Sequence, residues 1–299
     1  FSKLFLNILF IIFIVIIAEG YFEFFFNYNY NGERIAGLFG DNLVIGSYIS
    51  RLIPLFFALV YLHWSKSLVM ICLSMIFLML AEVLVYISGE RTSFAYIILI
   101  ATCMIFLTSQ FRLLRVITFI LTLTMIFYIT LNSSSVRERM ISVTLDQTKL
   151  LTEEKNVISK RHESFYRTSL NIFYANPIIG IGPKLFRNYC DDKLYSHGNS
   201  CSTHPHNTYM QLLAETGVVG TLPILSILFY ILFVFSKQFY YAYVKKKYIL
   251  NDYCVCLLIA LLITVWPLAP TQNFFNNWIS IIYYLPIGFL LNQIYKNKE

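Results

Sequence analysis

The chain has 299 residues, of which 58% are hydrophobic, 17% aromatic and 13% charged. A soluble domain carries about 25% charged residues. Half that value, with a mean hydropathy of +0.64, excludes a soluble enzyme, a disordered chain and a nucleic-acid-binding module. The formal charge of +7 has to be sorted by side of a bilayer before it says anything about partners. The fold class this composition implies is all-α, a polytopic transmembrane helix bundle.

A helix crossing the hydrocarbon core needs about 20 mostly apolar residues. In chain order, eight such stretches are expected, at 4–19, 43–62, 67–88, 92–110, 113–131, 218–236, 254–270 and 277–294. The first does not read as a cleavable signal peptide, because Glu19, Tyr21 and Phe22 follow it where small residues belong. The sequence begins with Phe1 rather than Met, so a chain truncated at its N-terminus, with earlier spans lost, is expected. Lys3, Lys66, Arg112, Arg115, Lys237, Lys245, Lys246, Lys247, Lys296 and Lys298 fall in one set of short connections. The opposite set holds Arg34 and Arg91 beside Glu23, Glu33, Asp41 and Glu90. By the positive-inside rule the first set is cytoplasmic and the second lies outside. Three regions follow: an N-terminal bundle at 1–131, a large outer loop at 132–217 and C-terminal helices at 218–299.

The outer loop concentrates the polar chemistry. Residues 136–155 are charged and are expected at the membrane surface. From Val157 to Ala175, Ile158, Phe165, Leu170 and Phe173 recur near helical spacing, with Arg161, His162, Arg167 and Asn171 elsewhere, which predicts an amphipathic helix ending before Pro177. Asn176-Pro177 with Gly180 and Gly182 predicts a turn. A second helix is expected to start around His204-Pro205, with Pro at its first position, and to close at Gly217. Cys190 and Cys201 lie in a space that should be oxidising, and their pairing is expected to pin the loop. Cys72, Cys103, Cys254 and Cys256 sit in spans as packing residues.

The stretch from His204 to Gly217 carries two histidines, Asn207 and Glu215. Helix capping is the competing structural use of His and Asn. A pair two positions apart is a poor metal site without a third ligand, so no metal or cofactor is expected, and a histidine general base is the better reading. Arg34, Arg91 and Arg161 are charged groups suited to phosphate oxygens. Each alone is better read as a surface arginine whose stem lies along the membrane; three on the histidine side shift the balance toward an anion site. Within the spans, Arg51 and Glu82 lie at similar depths, about 8 and 9 Å below the outer helix ends at 1.5 Å per residue. A buried ion pair between them is the preferred expectation, with a substrate contact as the alternative.

Four stretches together resemble the bacterial O-antigen ligase and polymerase superfamily of membrane glycosyltransferases. They are Arg34 to Gly40, Ser88-Gly89-Glu90-Arg91-Thr92, Arg161 with Phe165 and Asn176 to Gly182, and His204-Pro205-His206-Asn207 with Glu215 and Gly217 behind it. Phe165 stands where that pattern has tryptophan. The resemblance implies a bacterial inner-membrane enzyme with several spans and a helical periplasmic loop. Its donor would be a glycan on a polyprenyl diphosphate and its acceptor a sugar hydroxyl, with inversion at the anomeric carbon. The acceptor would be a lipid-anchored core oligosaccharide in a ligase, or a second lipid-linked glycan in a polymerase; ligase is the preferred expectation. His206 would take the hydroxyl proton, Arg91 and Arg161 would hold the diphosphate, and Arg34, His204 and Glu215 would orient or bind. A flippase or solute transporter is the competing class. It would use Arg51 and Glu82, but the sequence has no internal repeat and no paired broken helices.

Overall fold

The computed structural model describes residues 1–26, 34–40, 42–148 and 159–296. Glu33, Asp41, Lys298 and the loop residues 149–158, which include Val157 and Ile158, lie outside the described residues. Among those described the chain is all-helical and contains no strand. It divides into two compact units: residues 1–142, 234–264 and 282–299 form the first, residues 143–233 and 265–281 the second.

The first unit begins with α1 (Ser2–Phe26), α2 (Ile45–His63), α3 (Leu68–Ile87), α4 (Arg91–Leu107) and α5 (Arg112–Asn132). A short α6 (Ser134–Arg137) and one π turn (Glu138–Ser142) follow. Helix α2 is buried along most of its length, Ser50 and Arg51 included, as a central helix of a bundle is. Its N-terminus has no side-chain cap of its own. Instead the Glu90 carboxylate, from the turn between α3 and α4, accepts Gly46 N–H at 2.6 Å and Ser47 N–H at 3.0 Å. An acidic group there satisfies orphan donors and complements the helix dipole. Glu23, 2% exposed near the end of α1, does the same for the Arg34 segment by accepting Ala36 N–H and Gly37 N–H.

Two rungs join α3 to α5: Thr122 Oγ1 donates to Glu82 Oε2 at 2.6 Å, and Tyr86 and Thr130 hydroxyls meet at 2.7 Å. The expected ion pair between Arg51 and Glu82 is not formed, which corrects that expectation. Arg51 donates from Nη1 to Ile263 O at 2.6 Å and lies over the rings of Tyr96 and Tyr283, at 4.5 and 4.2 Å. The carbonyl it caps belongs to the last turn of α11 (Asp252–Thr264), where a cation is favoured by the dipole. Two aromatic faces supply the rest of its stabilisation.

Among the described residues, five helices are long and apolar enough to cross a membrane: α1, α2, α3, α5 and α10 (Thr208–Tyr243). The stretches at 92–110 and 254–270 fold as shorter helices, α4 with 17 residues and α11 with 13. Helix α11 ends at Thr264, so 265–270 is not a continuation of it, contrary to the expected span. The last element is α12 (Asn277–Lys296), with Pro286 inside it.

The second unit contains α7 (Val143–Thr148), α8 (Lys160–Ala175), α9 (Phe186–Tyr189) and the first part of α10. Ser159 caps α8 by accepting His162 N–H, and the apolar face of α8 is buried at Phe165 and Ile172. Ile172, Phe186, Cys190 and Ala214 form a small core, with Ile181, Tyr195 and Cys201 against it. Cys190 and Cys201 are joined as a disulfide, eleven positions apart with a Cα–Cα distance of 4.9 Å.

Helix α10 starts at Thr208, not at His204-Pro205. Asn207 is its cap: Oδ1 accepts Tyr209 N–H at 3.0 Å and Met210 N–H at 3.1 Å. Helical geometry breaks at Gly217 (φ 60°, ψ −158°), where α10 is two helices joined across a kink, so the first of them closes at the expected glycine and the second follows at once.

Candidate functional site

The segment before α10 is held by a strap at 265–276, of which residues 265–270 fall in the expected span 254–270 and the rest follow it. Thr271 N–H donates to His206 O at 2.9 Å, and the Thr208 and Thr271 hydroxyls meet at 2.9 Å. Asn207 Nδ2 donates to Pro267 O at 2.8 Å, and Tyr209 OH to Val265 O at 2.7 Å. Gln211 exchanges hydrogen bonds with Asn273 Oδ1 and Phe274 N–H, both at 2.9 Å. Backbone and side-chain bonds between the two segments thus fix residues 204–211. The signal for this strap is the polar run Thr271-Gln272-Asn273 directly after Ala269-Pro270. The preceding apolar residues masked it.

His206 sits at the middle of this arrangement with a left-handed backbone (φ 57°). A non-glycine residue takes that conformation at a cost, and such positions gather at functional sites. Its Nε2 lies 3.1 Å from Ser202 Oγ. Around it are His204 at 4.1 Å between ring centroids, Phe165 at 5.3 Å and His162 at 6.1 Å. The Arg161 guanidinium lies 5.8 Å from the Phe165 ring. Phe165, buried at 2% exposure, therefore forms the wall that the arginine and the imidazole share.

The electrostatics follow from this crowding. Burial, then the neighbouring His204, His162 and Arg161, push the pKa of His206 down to about 4. Burial and positive charge nearby both disfavour the imidazolium, so the ring is neutral at ordinary pH. His204 is also lowered, mainly by burial. Both its ring nitrogens are engaged: Nδ1 lies 3.0 Å from Thr203 Oγ1 and Nε2 lies 3.3 Å from Thr271 O. A carbonyl only accepts, so Nε2 carries the hydrogen and Nδ1 accepts from the threonine.

Glu215 is fully buried and its carboxylate is committed to the fold. It accepts Lys184 N–H and Phe186 N–H, each at 3.0 Å, and Gln211 Nε2–H at 2.9 Å. The adjacent backbone is as closely fitted. Ile181 N–H and Gly182 N–H donate to the carbonyls of Ala214 and Glu215, while Val218 N–H and Val219 N–H donate to those of Pro177 and Ile178. The Asn176–Gly182 turn and the kink at Gly217 are thus a single backbone junction.

In the first unit, Arg34 donates from Nη2 to Leu43 O at 2.8 Å and lies 3.9 Å from Glu90 Oε2. Arg91 opens α4 beside Glu90 and lies in the electrostatic field of Arg34 and Arg139. The candidate residues therefore fall into two constellations: Arg34 and Arg91 in the first unit, and Arg161, His204, His206 and Glu215 in the second. His162 and Arg139 are the members that the sequence reading did not single out. Both occur in runs of charged residues where spacing alone gives no reason to choose one over its neighbours.

Among the described residues, the grouping nearest to a metal-ligand set is Cys190, Asp191 and Cys201. Its two sulfurs are bonded to each other, which removes them as ligands.

A protein-family model described as O-antigen ligase matches residues 74–225, just over half of the chain. A search of curated proteins gives no match.

Proposed function

Because this chain belongs to the O-antigen ligase family, membrane enzymes of surface-polysaccharide assembly, we propose that it transfers a glycan from a polyprenyl diphosphate to a sugar hydroxyl. The reaction is placed at the periplasmic face of a bacterial inner membrane. Ligation to a lipid-anchored core oligosaccharide is the preferred acceptor reaction. Joining of two lipid-linked glycans, as in a polymerase, is the alternative with the same chemistry.

In this reading the acceptor oxygen attacks the anomeric carbon as the bond from that carbon to the diphosphate oxygen breaks. The electron pair leaves with the diphosphate. His206 accepts the hydroxyl proton, a role that contributes about 100- to 10,000-fold. Arg91 and Arg161 hold the diphosphate and offset the charge it gains; losing one such donor costs about 3 kcal/mol of transition-state stabilisation. Guanidinium groups perform the charge work assigned to a metal in other transferases, and the proposal includes no cofactor. Arg34 supports the anion site. His204 and Glu215 act as positioning residues, since hydrogen bonds within the fold already engage them.

The observation that carries this reading is the neutral, crowded imidazole of His206 with Arg161 beside it. A base with a pKa near 4 is unprotonated but weak. An arriving diphosphate is opposite in sign to the groups that depress it, and so raises its basicity where transfer occurs. The test is to follow a labelled donor glycan in membranes lacking the native copy and complemented with this chain. Label on core oligosaccharide supports ligation; label on longer lipid-linked chains supports polymerisation. Label that stays on its original lipid defeats both.

A further inference from the structure

We propose that Ser202 is a positioning residue for the transfer step: its Oγ accepts from Nε2–H of His206, fixes that tautomer and leaves Nδ1 as the atom that takes the hydroxyl proton. This deepens the transferase reading and rests on His206 being its base. The two groups lie 3.1 Å apart within one compact unit. A hydroxyl can donate or accept, and the direction follows from what a base requires. Were Oγ to donate to Nε2, the neutral ring would carry its hydrogen on Nδ1 and have no lone pair left for a proton. With Oγ accepting, Nε2 holds the hydrogen. Nδ1, which has no hydrogen-bond partner among the described residues, keeps its lone pair. As the proton arrives there, the ring becomes an imidazolium whose Nε2–H donates more strongly to Oγ. The partner that sets the tautomer thus also stabilises the charged ring, as the group that orients a catalytic base does.

No other contact of the ring does this. His204, Phe165 and His162 pack on His206 at 4.1, 5.3 and 6.1 Å between centroids. Ring packing fixes a plane, but a half-turn of an imidazole exchanges nitrogen for carbon at nearly equal shape. Only a hydrogen bond tells the two orientations apart. His204 has no ring nitrogen to spare, since Thr203 and Thr271 engage both. Ser202 is itself held. Cys201 before it is bonded to Cys190, Ser200 Oγ donates to Cys190 O at 3.4 Å, and His197 N–H donates to Thr168 Oγ1 at 3.0 Å. The hydroxyl therefore stands on a segment pinned to the end of α9 and to α8, the helix that also supplies Arg161 and Phe165.

The test uses the full chain in vesicles with a labelled lipid-diphosphate donor, and nitrogen-15 NMR of the same protein labelled at histidine. Wild type should show the His206 ring, assigned by its loss in His206→Gln, with Nε2 protonated and Nδ1 bare. Ser202→Ala should mix the two tautomers and lower kcat about tenfold, the scale of one hydrogen bond to a charged group. The donor KM should change less than about twofold, because the bond acts on the base and not on the donor. Ser202→Thr, which keeps a hydroxyl, should recover kcat and the single tautomer. A wild-type ring with its hydrogen on Nδ1 overturns the inference, and that measurement decides even where Ser202→Ala folds poorly. A folded Ser202→Ala protein with wild-type kcat overturns it too, as does a fall in kcat that leaves the tautomer unmoved. His206→Gln assayed alongside separates the two claims. Transfer lost there with Ser202→Ala silent removes this inference alone, whereas wild-type transfer by His206→Gln removes the base itself.

Discussion

Gly180 and Gly217 interlock. A Cβ built on Gly180 would collide with the backbone of Glu215 and Thr216, and one built on Gly217 would collide with the backbone of Ile178 and Ile179. Both have positive φ, at 65° and 60°, so a side chain is opposed by conformation as well as by space. The two glycines let the turn after α8 lie flush on the kink in α10, and that contact places Glu215 under α9.

Gly180→Ala and Gly217→Ala should each destabilise the protein by more than about 3 kcal/mol, because backbone atoms cannot move aside as a flexible side chain would. Since one junction is lost either way, the double variant should fall well short of the sum. Thermal unfolding in detergent, read by intrinsic fluorescence, checks both statements. Additive losses would mean that the two positions act independently.

The acid limb of the rate profile should report His206. Its folded pKa of about 4 lies below the usual 6.5, so the neutral base is present from pH 8 down to near pH 4. kcat/KM should stay level over that range and fall below it. The limb for kcat should sit at higher pH, because bound diphosphate restores basicity. The stability linkage has the same sign. The unfolded chain binds more protons than the folded one between pH 6.5 and 4, so the contribution of this group declines as pH drops through that window. Buffer-matched assays on His206→Gln, which lacks the titration, isolate the effect.

Reduction of the Cys190–Cys201 bond should loosen the core around Phe186 and Ala214. The closed loop is short, and the loss should be about 3 kcal/mol. Cys201→Ser should reproduce it without added reductant, and reductant should then have no further effect on its unfolding temperature.

Exchanging the charges at Arg51 and Glu82 should fail to give folded protein. Each meets its own partners: a carbonyl and two ring faces for Arg51, the Thr122 hydroxyl for Glu82. Arg51→Lys should also be destabilising, by about 1 kcal/mol, since an ammonium cannot stack as a planar guanidinium does. Membrane abundance and unfolding temperature measure both. A stable swapped variant would restore the direct pair.

The Arg51 result also shows where reading the sequence stops. Depth along a helix is legible from residue count, but the rotation of one helix about another is not, and two residues at equal depth can face different neighbours. Helix α8 was legible, with its expected end before Pro177 matched by Ala175, because its apolar face repeats through two turns and a proline stops it. The start of α10 was not. Pro205 offered a plausible first position, while the cap depends on Asn207 reaching back to Tyr209 and Met210. The strap at 265–276 was hidden because Val265, Trp266 and Leu268 read as a continuing span. The grouping of Arg161 with His206 was foreseeable only as residues on one loop; the contribution of Phe165 and His162 to it depends on tertiary contacts.

The most direct test is transfer by purified protein in vesicles, with a radiolabelled glycan on a polyprenyl diphosphate and a sugar acceptor. Wild type should move the label to the acceptor and release polyprenyl diphosphate in equal amount. His206→Ala, at equal abundance and unfolding temperature, should slow this by about 100- to 10,000-fold. An alanine variant with the wild-type rate, or labelled lipid that crosses the bilayer without being consumed, would contradict the account.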